Sequence, residues 1–187
     1  PVVLDPTLLL ERTDWAAAAR DGGAGRGYIL CYCISRPDAL APYIRRLAEE
    51  TGLPVVQLCG IRQKVHPKAK QIMDAGPAEF LGLFQNAAYV VTNSFHGTVF
   101  SVQFHRPFFT TVSPAELSAP ERSRTVSILS RLGLANRISA WNIFWSIFSP
   151  KLSETAPTNV PWDRLAILEA GMSESSCVLI EVDTSWR

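Results

Sequence analysis

Four short apolar runs, each followed by a stretch of helical periodicity, predict an α/β fold of Rossmann type, a mainly parallel sheet with helices on both faces. Two further observations agree. The runs are nearly continuous rather than alternating, as in strands covered on both sides, and glycine or proline marks most changes of period.

The first run, residues 28–34 (YILCYCI), is aromatic and β-branched in the manner of a buried strand. Residues 39–51 then place Leu40, Ile44, Leu47 and Ala48 at helical spacing, and Gly52 stops the helix. Residues 54–59 (PVVQLC) form the second strand, which Gly60 ends ahead of a basic segment carrying Arg62, Lys64, His66, Lys68 and Lys70. That segment has two readings, a lining for a ligand edge or a solvated face.

A helix starts at Gly76-Pro77, with proline suited to its first position, Glu79 complementing the dipole, and Phe80, Leu81, Leu83 and Phe84 on one face. It ends near Asn86. Residues 89–92 (YVVT) are the third strand. Residues 96–105 are a mostly apolar helix stopped by Arg106-Pro107. Residues 107–112 (PFFTTV) make the fourth strand, and 122–132 a helix with Val126, Leu129 and Leu132 inward and Gly133 as its cap.

Past Asn136 the pattern degrades. The domain is therefore read as residues 1–137, with 1–27 as a linker-like lead-in. Residues 138–187 are an extension holding an aromatic stretch at 141–148 (WNIFWSIF), a loop at 151–161 and a helical stretch at 162–170. The aromatic stretch has no interleaved Lys or Arg, so it is read as packing onto a domain rather than anchoring at a membrane surface.

Composition limits the functional classes. At 47% hydrophobic and 19% charged residues the chain is not a disordered tail, and no apolar run approaches the roughly 20 residues that span a bilayer. Eighteen Lys plus Arg against 17 Asp plus Glu give a net charge of +1, which offers nothing for general attraction to nucleic acid. Cys31, Cys33, Cys59 and Cys177 form no CxxC pair and sit in apolar surroundings. They are read as reduced core thiols of a cytoplasmic protein, with no metal site. The chain begins at Pro1 without an initiator Met, and the natural N-terminus is expected to lie upstream.

In an open parallel sheet, ligands bind beyond the carboxyl ends of the strands. The third strand leads there into Asn93-Ser94-Phe95-His96-Gly97-Thr98 and then a helix. Small polar side chains, a glycine and the unpaired N–H groups of a helix start suit a phosphate or carboxylate. His96 adds a group able to donate a hydrogen bond or a proton near neutrality. Taken alone, the same residues also suit a plain capped helix start, with Asn93 or Ser94 as the cap. Ser35 and Arg36, at the end of the first strand, have a similar pair of readings, ligand-facing groups or a turn ahead of Pro37. His105 is read as structural.

The segment 76–109, GPAEFLGLFQNAAYVVTNSFHGTVFSVQFHRPFF, resembles the polysaccharide pyruvyl transferase family almost residue for residue. Residues 3–10 (VLDPTLLL) are similar to the linker joining that family's two halves, and Arg124 with residues 131–137 (RLGLANR) to its late helix and turn. The resemblance implies the C-terminal, donor-binding lobe of a two-lobed enzyme of GT-B-like architecture, with a missing N-terminal lobe for the acceptor. The activity it implies moves the enolpyruvyl unit of phosphoenolpyruvate onto sugar hydroxyls of a cell-envelope polysaccharide as a ketal, with no metal or other cofactor.

By the same resemblance His96 is the general acid or a phosphate donor, and Asn93, Ser94, Phe95, Gly97, Thr98 and Arg124 bind the substrate. Arg124 also has the reading of a solvated arginine at a helix start. The competing readings are a GT-B glycosyltransferase lobe using a nucleotide sugar, and a non-catalytic phosphate-binding module or split-enzyme half. The expected location is cytoplasmic, with peripheral membrane association left open.

Overall fold

In the computed structural model, which describes residues 5–58 and 62–140, alternation along each strand decides which helices it meets. In β1 (Ile29–Tyr32), Ile29 and Cys31 turn to one face of the sheet and Leu30 to the other, and all three are fully buried. The same division runs through β2 (Val55–Leu58), β4 (Tyr89–Thr92) and β5 (Phe108–Val112). With helices on both faces, neither face can be polar. The strands therefore read as continuous apolar runs.

Two short strands complete the sheet, β3 (Lys70–Ile72) and β6 (Ile138–Ala140). The order is β3-β2-β1-β4-β5-β6, and every neighbouring pair is parallel. The chain runs outward from β1 to β3, then returns to the other side of β1 for β4. The order therefore reverses between β1 and β4, the kind of switch point beyond whose strand carboxyl ends open sheets bind their ligands.

One face is covered by α2 (Pro37–Thr51), which buries Leu40, Tyr43, Ile44 and Leu47. Each such side chain contributes roughly 1.5–3 kcal/mol on removal from water. The other face carries α3 (Pro77–Asn86), α4 (Phe95–Gln103) and α6 (Arg124–Arg131), through Leu83, Phe84, Val99, Phe100 and Leu129 among others. Between β5 and α6 lies the short α5 (Pro114–Ser118).

The predicted lead-in is part of this second face. Residues Pro6–Leu8 form a 3-10 turn and α1 spans Arg12–Ala18, with Trp15 edge-on to Phe100 at 5.1 Å between ring centroids. The buried amide of Gln103 donates to the carbonyls of Thr7 (3.1 Å) and Leu10 (3.2 Å), tying the turn to α4. At the other end the sheet runs past residue 137, because β6 pairs with β5 from Ile138 onward. The stretches at 141–148 and 162–170 lie outside the described residues.

The basic segment after β2 is not at the ligand edge as a whole. A parallel β3 must begin at the edge where β2 began, so the chain travels back across the α2 face, burying Val65 and Ala69 there. Gln57 holds this return through the Gln63 carbonyl (2.8 Å) and the Val65 N–H (2.9 Å). Lys70, at the start of β3, then donates to the Gly23 carbonyl at 2.6 Å.

His105 links α4 to β5 with φ 53. Burial, then the charges of Arg12 and Arg106, push its pKa down from 6.5 to about 4. The unfolded chain takes up this proton near 6.5 and the folded chain only near 4. Stability is therefore full above about 6.5 and declines as pH falls through that window. His105→Asn keeps a residue that tolerates positive φ and removes the titration. The variant's Tm should fall less steeply between those limits than the parent's, and parallel curves of Tm against pH would refute this assignment.

Candidate active site

The turn after β4 is built from internal bonds. Thr92 donates its hydroxyl to the Tyr32 carbonyl (2.7 Å) and accepts the Ser94 N–H (3.0 Å), which fastens the turn to β1. Ser94 caps α4, its hydroxyl accepting the Gly97 N–H at 3.4 Å. Gly97 lies against the sheet, where a Cβ would collide with the Thr92 hydroxyl and come within 2.9 Å of Tyr32 Cδ1. Its lack of a side chain lets the helix approach the strands.

Asn93 spans the switch point. Its Oδ1 accepts the Ile34 N–H at 3.0 Å, while Nδ2 donates to the Ser35 carbonyl and lies 3.9 Å from Cys33 Sγ. One amide thus joins the ends of β1 and β4. Beside it Arg36, with φ 52, stands at the N-cap position of α2 and pairs with Asp38 at 3.4 Å. Thr98 is wholly buried, with its hydroxyl 3.0 Å from both the Ser94 carbonyl and Thr110 Oγ1. The hydroxyls of Ser94 and Thr98, expected in an anion cradle, are engaged inside the helix–sheet joint.

Three of the residues singled out from sequence come together at the solvent. The His96 side chain is 49% exposed, its ring edge-on to Phe95 at 5.4 Å. Arg124, at the first position of α6, lays its guanidinium 4.3 Å from the Phe95 ring centroid. Such cation–π contact contributes about 0.5–1 kcal/mol at an exposed site and restricts where the arginine can reach. The start of α6 is itself fixed, because Ser123 caps it and donates to Glu116 Oε1 at 3.0 Å. Helical geometry leaves the N–H groups of Phe95 and His96, at the first two positions of α4, without intrahelical acceptors.

A fourth member, Asp5, was not legible in the sequence. Its Oδ1 is 3.8 Å from His96 Nε2 and its Oδ2 is 3.6 Å from Arg124 Nη1. Burial pushes the Asp5 carboxyl up, but the Thr7 hydroxyl and N–H, with the charges of His96 and Arg124, outweigh it and hold the group below its ordinary value. The local clue is Asp-Pro-Thr, which reads as a turn with a side-chain cap. Nothing local points to residues 96 and 124.

A family profile for polysaccharide pyruvyl transferases matches residues 1–113, from the segment carrying Asp5 through α4 to β5. The chain belongs to that family. No curated protein matches it. The polysaccharide pyruvyl transferases are transferases, and the activity general to them is pyruvyl transfer to polysaccharide. In this member the matched region supplies Asp5, Phe95 and His96. Arg124 joins them from beyond it.

Among the described residues of this pyruvyl transferase family member, no group of three or more His, Cys, Asp or Glu side chains is placed to hold a metal ion. Among the same residues no helix is long and apolar enough to cross a membrane.

Proposed function

We propose that this chain transfers the enolpyruvyl unit of phosphoenolpyruvate to two hydroxyls of a sugar in a cell-envelope polysaccharide or its precursor, forming a ketal. The domain described here holds the donor, and a second lobe holds the acceptor. The observation that carries this reading is the meeting of His96 and Arg124, from two different helices, around one carboxylate at the open edge of the sheet. Phosphoenolpyruvate brings a carboxylate and a phosphate. The N–H groups that open α4 add donors for an anion, worth about 0.3–1 kcal/mol through the helix dipole, so the side chains must supply most of the affinity.

The chemistry then has two parts. His96 donates a proton to the methylene carbon, which becomes the methyl group, and positive charge develops at the adjacent carbon bearing the phosphate oxygen. One sugar hydroxyl adds to that carbon and gives its proton to His96, restoring the acid. The bond to the phosphate oxygen breaks with its electron pair, and the second hydroxyl closes the ketal, its proton leaving with the phosphate. Arg124 and the N–H donors stabilise the charge carried by the departing phosphate. The burial of Cys31 and Cys33 in the core suits a reducing compartment such as the cytoplasm.

Ligand-dependent thermal unfolding tests the reading. At a concentration near 100 times its Kd, phosphoenolpyruvate should add about 2.7 kcal/mol of stability. His96→Ala and Arg124→Ala should lose that protection. Thr98→Val should start from a lower Tm, because it strands Thr110, yet keep the protection. Protection by UDP- or GDP-sugars and not by phosphoenolpyruvate would replace pyruvyl transfer with glycosyl transfer.

A further inference from the structure

The carboxylate between His96 and Arg124 belongs to the protein, and its mounting is more elaborate than a surface ion pair requires. Asp5 Oδ1 accepts both the Thr7 N–H (3.1 Å) and the Thr7 hydroxyl (2.6 Å), which fixes the plane of the carboxyl group. The 3-10 turn that it caps is held from behind by Gln103, which is 3% exposed and donates to the Thr7 and Leu10 carbonyls. Gln103 ends the helix whose first turn carries His96. The carboxylate and the imidazole are therefore referenced to the same rigid element, at its two ends. Asp5 is 16% exposed in its side chain, whereas Arg124 is 68% exposed and His96 49%. The acid is the fixed partner, and the two bases keep open sides.

We propose that Asp5 is the positioning residue of the site, a built-in carboxylate that turns His96 and Arg124 toward the donor and makes their geometry depend on the segment that enters the domain. This rests on the reading that His96 faces the donor. At 3.6 and 3.8 Å the contacts lie within ion-pair range and beyond hydrogen-bond length, so both bases retain hydrogen-bond donors for a ligand. With Nε2 facing Asp5, the single proton of the neutral ring sits there, and the second proton of the imidazolium, the one a general acid delivers, sits on Nδ1, turned away from the carboxylate. Contacts of this kind are commonly long in a ligand-free enzyme and shorten when substrate binds.

The decisive variant is Asp5→Asn, because asparagine caps a helix start as well as aspartate does and only the charge is lost. In the full chain kcat should fall about 10- to 100-fold, less than the roughly 10⁴-fold lost when a carboxylate hydrogen-bonded to a catalytic imidazole is neutralised, because this contact is longer, with KM for phosphoenolpyruvate changed much less. Nitrogen-15 NMR of the His96 ring supplies a readout independent of any turnover. The parent should show the Nε2-protonated form, and the variant a mixture. Thr7→Val, which releases the carboxylate without touching it, should give a smaller loss in the same direction. Unchanged kcat together with an unchanged ring spectrum would overturn the proposal. A lower KM would also overturn it, by showing that Asp5 competes with the donor for the same cations. If the parent shows neither turnover nor protection by phosphoenolpyruvate, the functional reading fails while the ring spectrum still decides the positioning role.

Discussion

Replacing His96 by alanine should lower phosphoenolpyruvate-dependent transfer about 10²- to 10⁴-fold, the range expected when a positioned general acid is removed. The loss will report on chemistry rather than folding, because half of this side chain faces solvent. Among the described residues it packs edge-on against Phe95 and pairs at long range with Asp5. Changes at such sites usually move stability by less than about 0.5 kcal/mol, so Tm and kcat measured on one preparation should separate cleanly. His96→Gln distinguishes the two roles open to the imidazole. Glutamine can donate a hydrogen bond to phosphate but cannot deliver a proton. A variant that binds phosphoenolpyruvate yet does not turn over identifies the acid. One that recovers near-normal turnover reduces His96 to a phosphate donor and removes the proton-transfer step from the mechanism.

The parts of the fold that could be read from sequence share one physical property. β1, β2, β4 and β5 are covered on both faces, so their residues had to be apolar throughout and stood out as runs. The outer strands escaped notice for the converse reason. In β3, Lys70 is exposed and Gln71 half-buried, and the strand owes its existence to pairing with β2 rather than to its own pattern. In β6 three residues suffice because β5 provides the register.

The site divides along a similar line. Strand, turn and helix around Thr92 and Ser94 were legible because capping and hydrophobic periodicity are local. Whether a hydroxyl at Thr98 faces ligand or sheet is not local. The rotation of α4 settles it, and Thr98 meets Thr110 in the interior. Asp5 is the extreme case. Its partners, His96 and Arg124, lie on helices that follow β4 and β5, so their meeting is a property of the topology alone.

Gly82→Ala should be the most damaging of the small substitutions, and its sign runs against helix propensity. In the middle of an exposed helix the change would stabilise by about 1 kcal/mol. Here a Cβ would land on the Arg20 carbonyl oxygen and 2.7 Å from its carbonyl carbon. Neither partner can yield easily. Arg20 is bonded through its own N–H to the Ala78 carbonyl one turn earlier in the same helix, at 2.9 Å. Two residues on, Gly22 is pressed as closely, since a Cβ there would sit 2.5 Å from Leu83 Cγ. The segment leaving α1 thus runs in a groove on α3 that only backbone can fill. Overpacking of this kind costs about 3 kcal/mol at the upper end of its usual range, which exceeds the propensity gain. For a chain of this size that corresponds to a fall in Tm of roughly 10 °C. Calorimetry on the variant would test the close approach directly. A Tm equal to or above the parent's would mean that residues 20–22 do not lie against α3, and the docking of the N-terminal segment that delivers Asp5 would have to be redrawn.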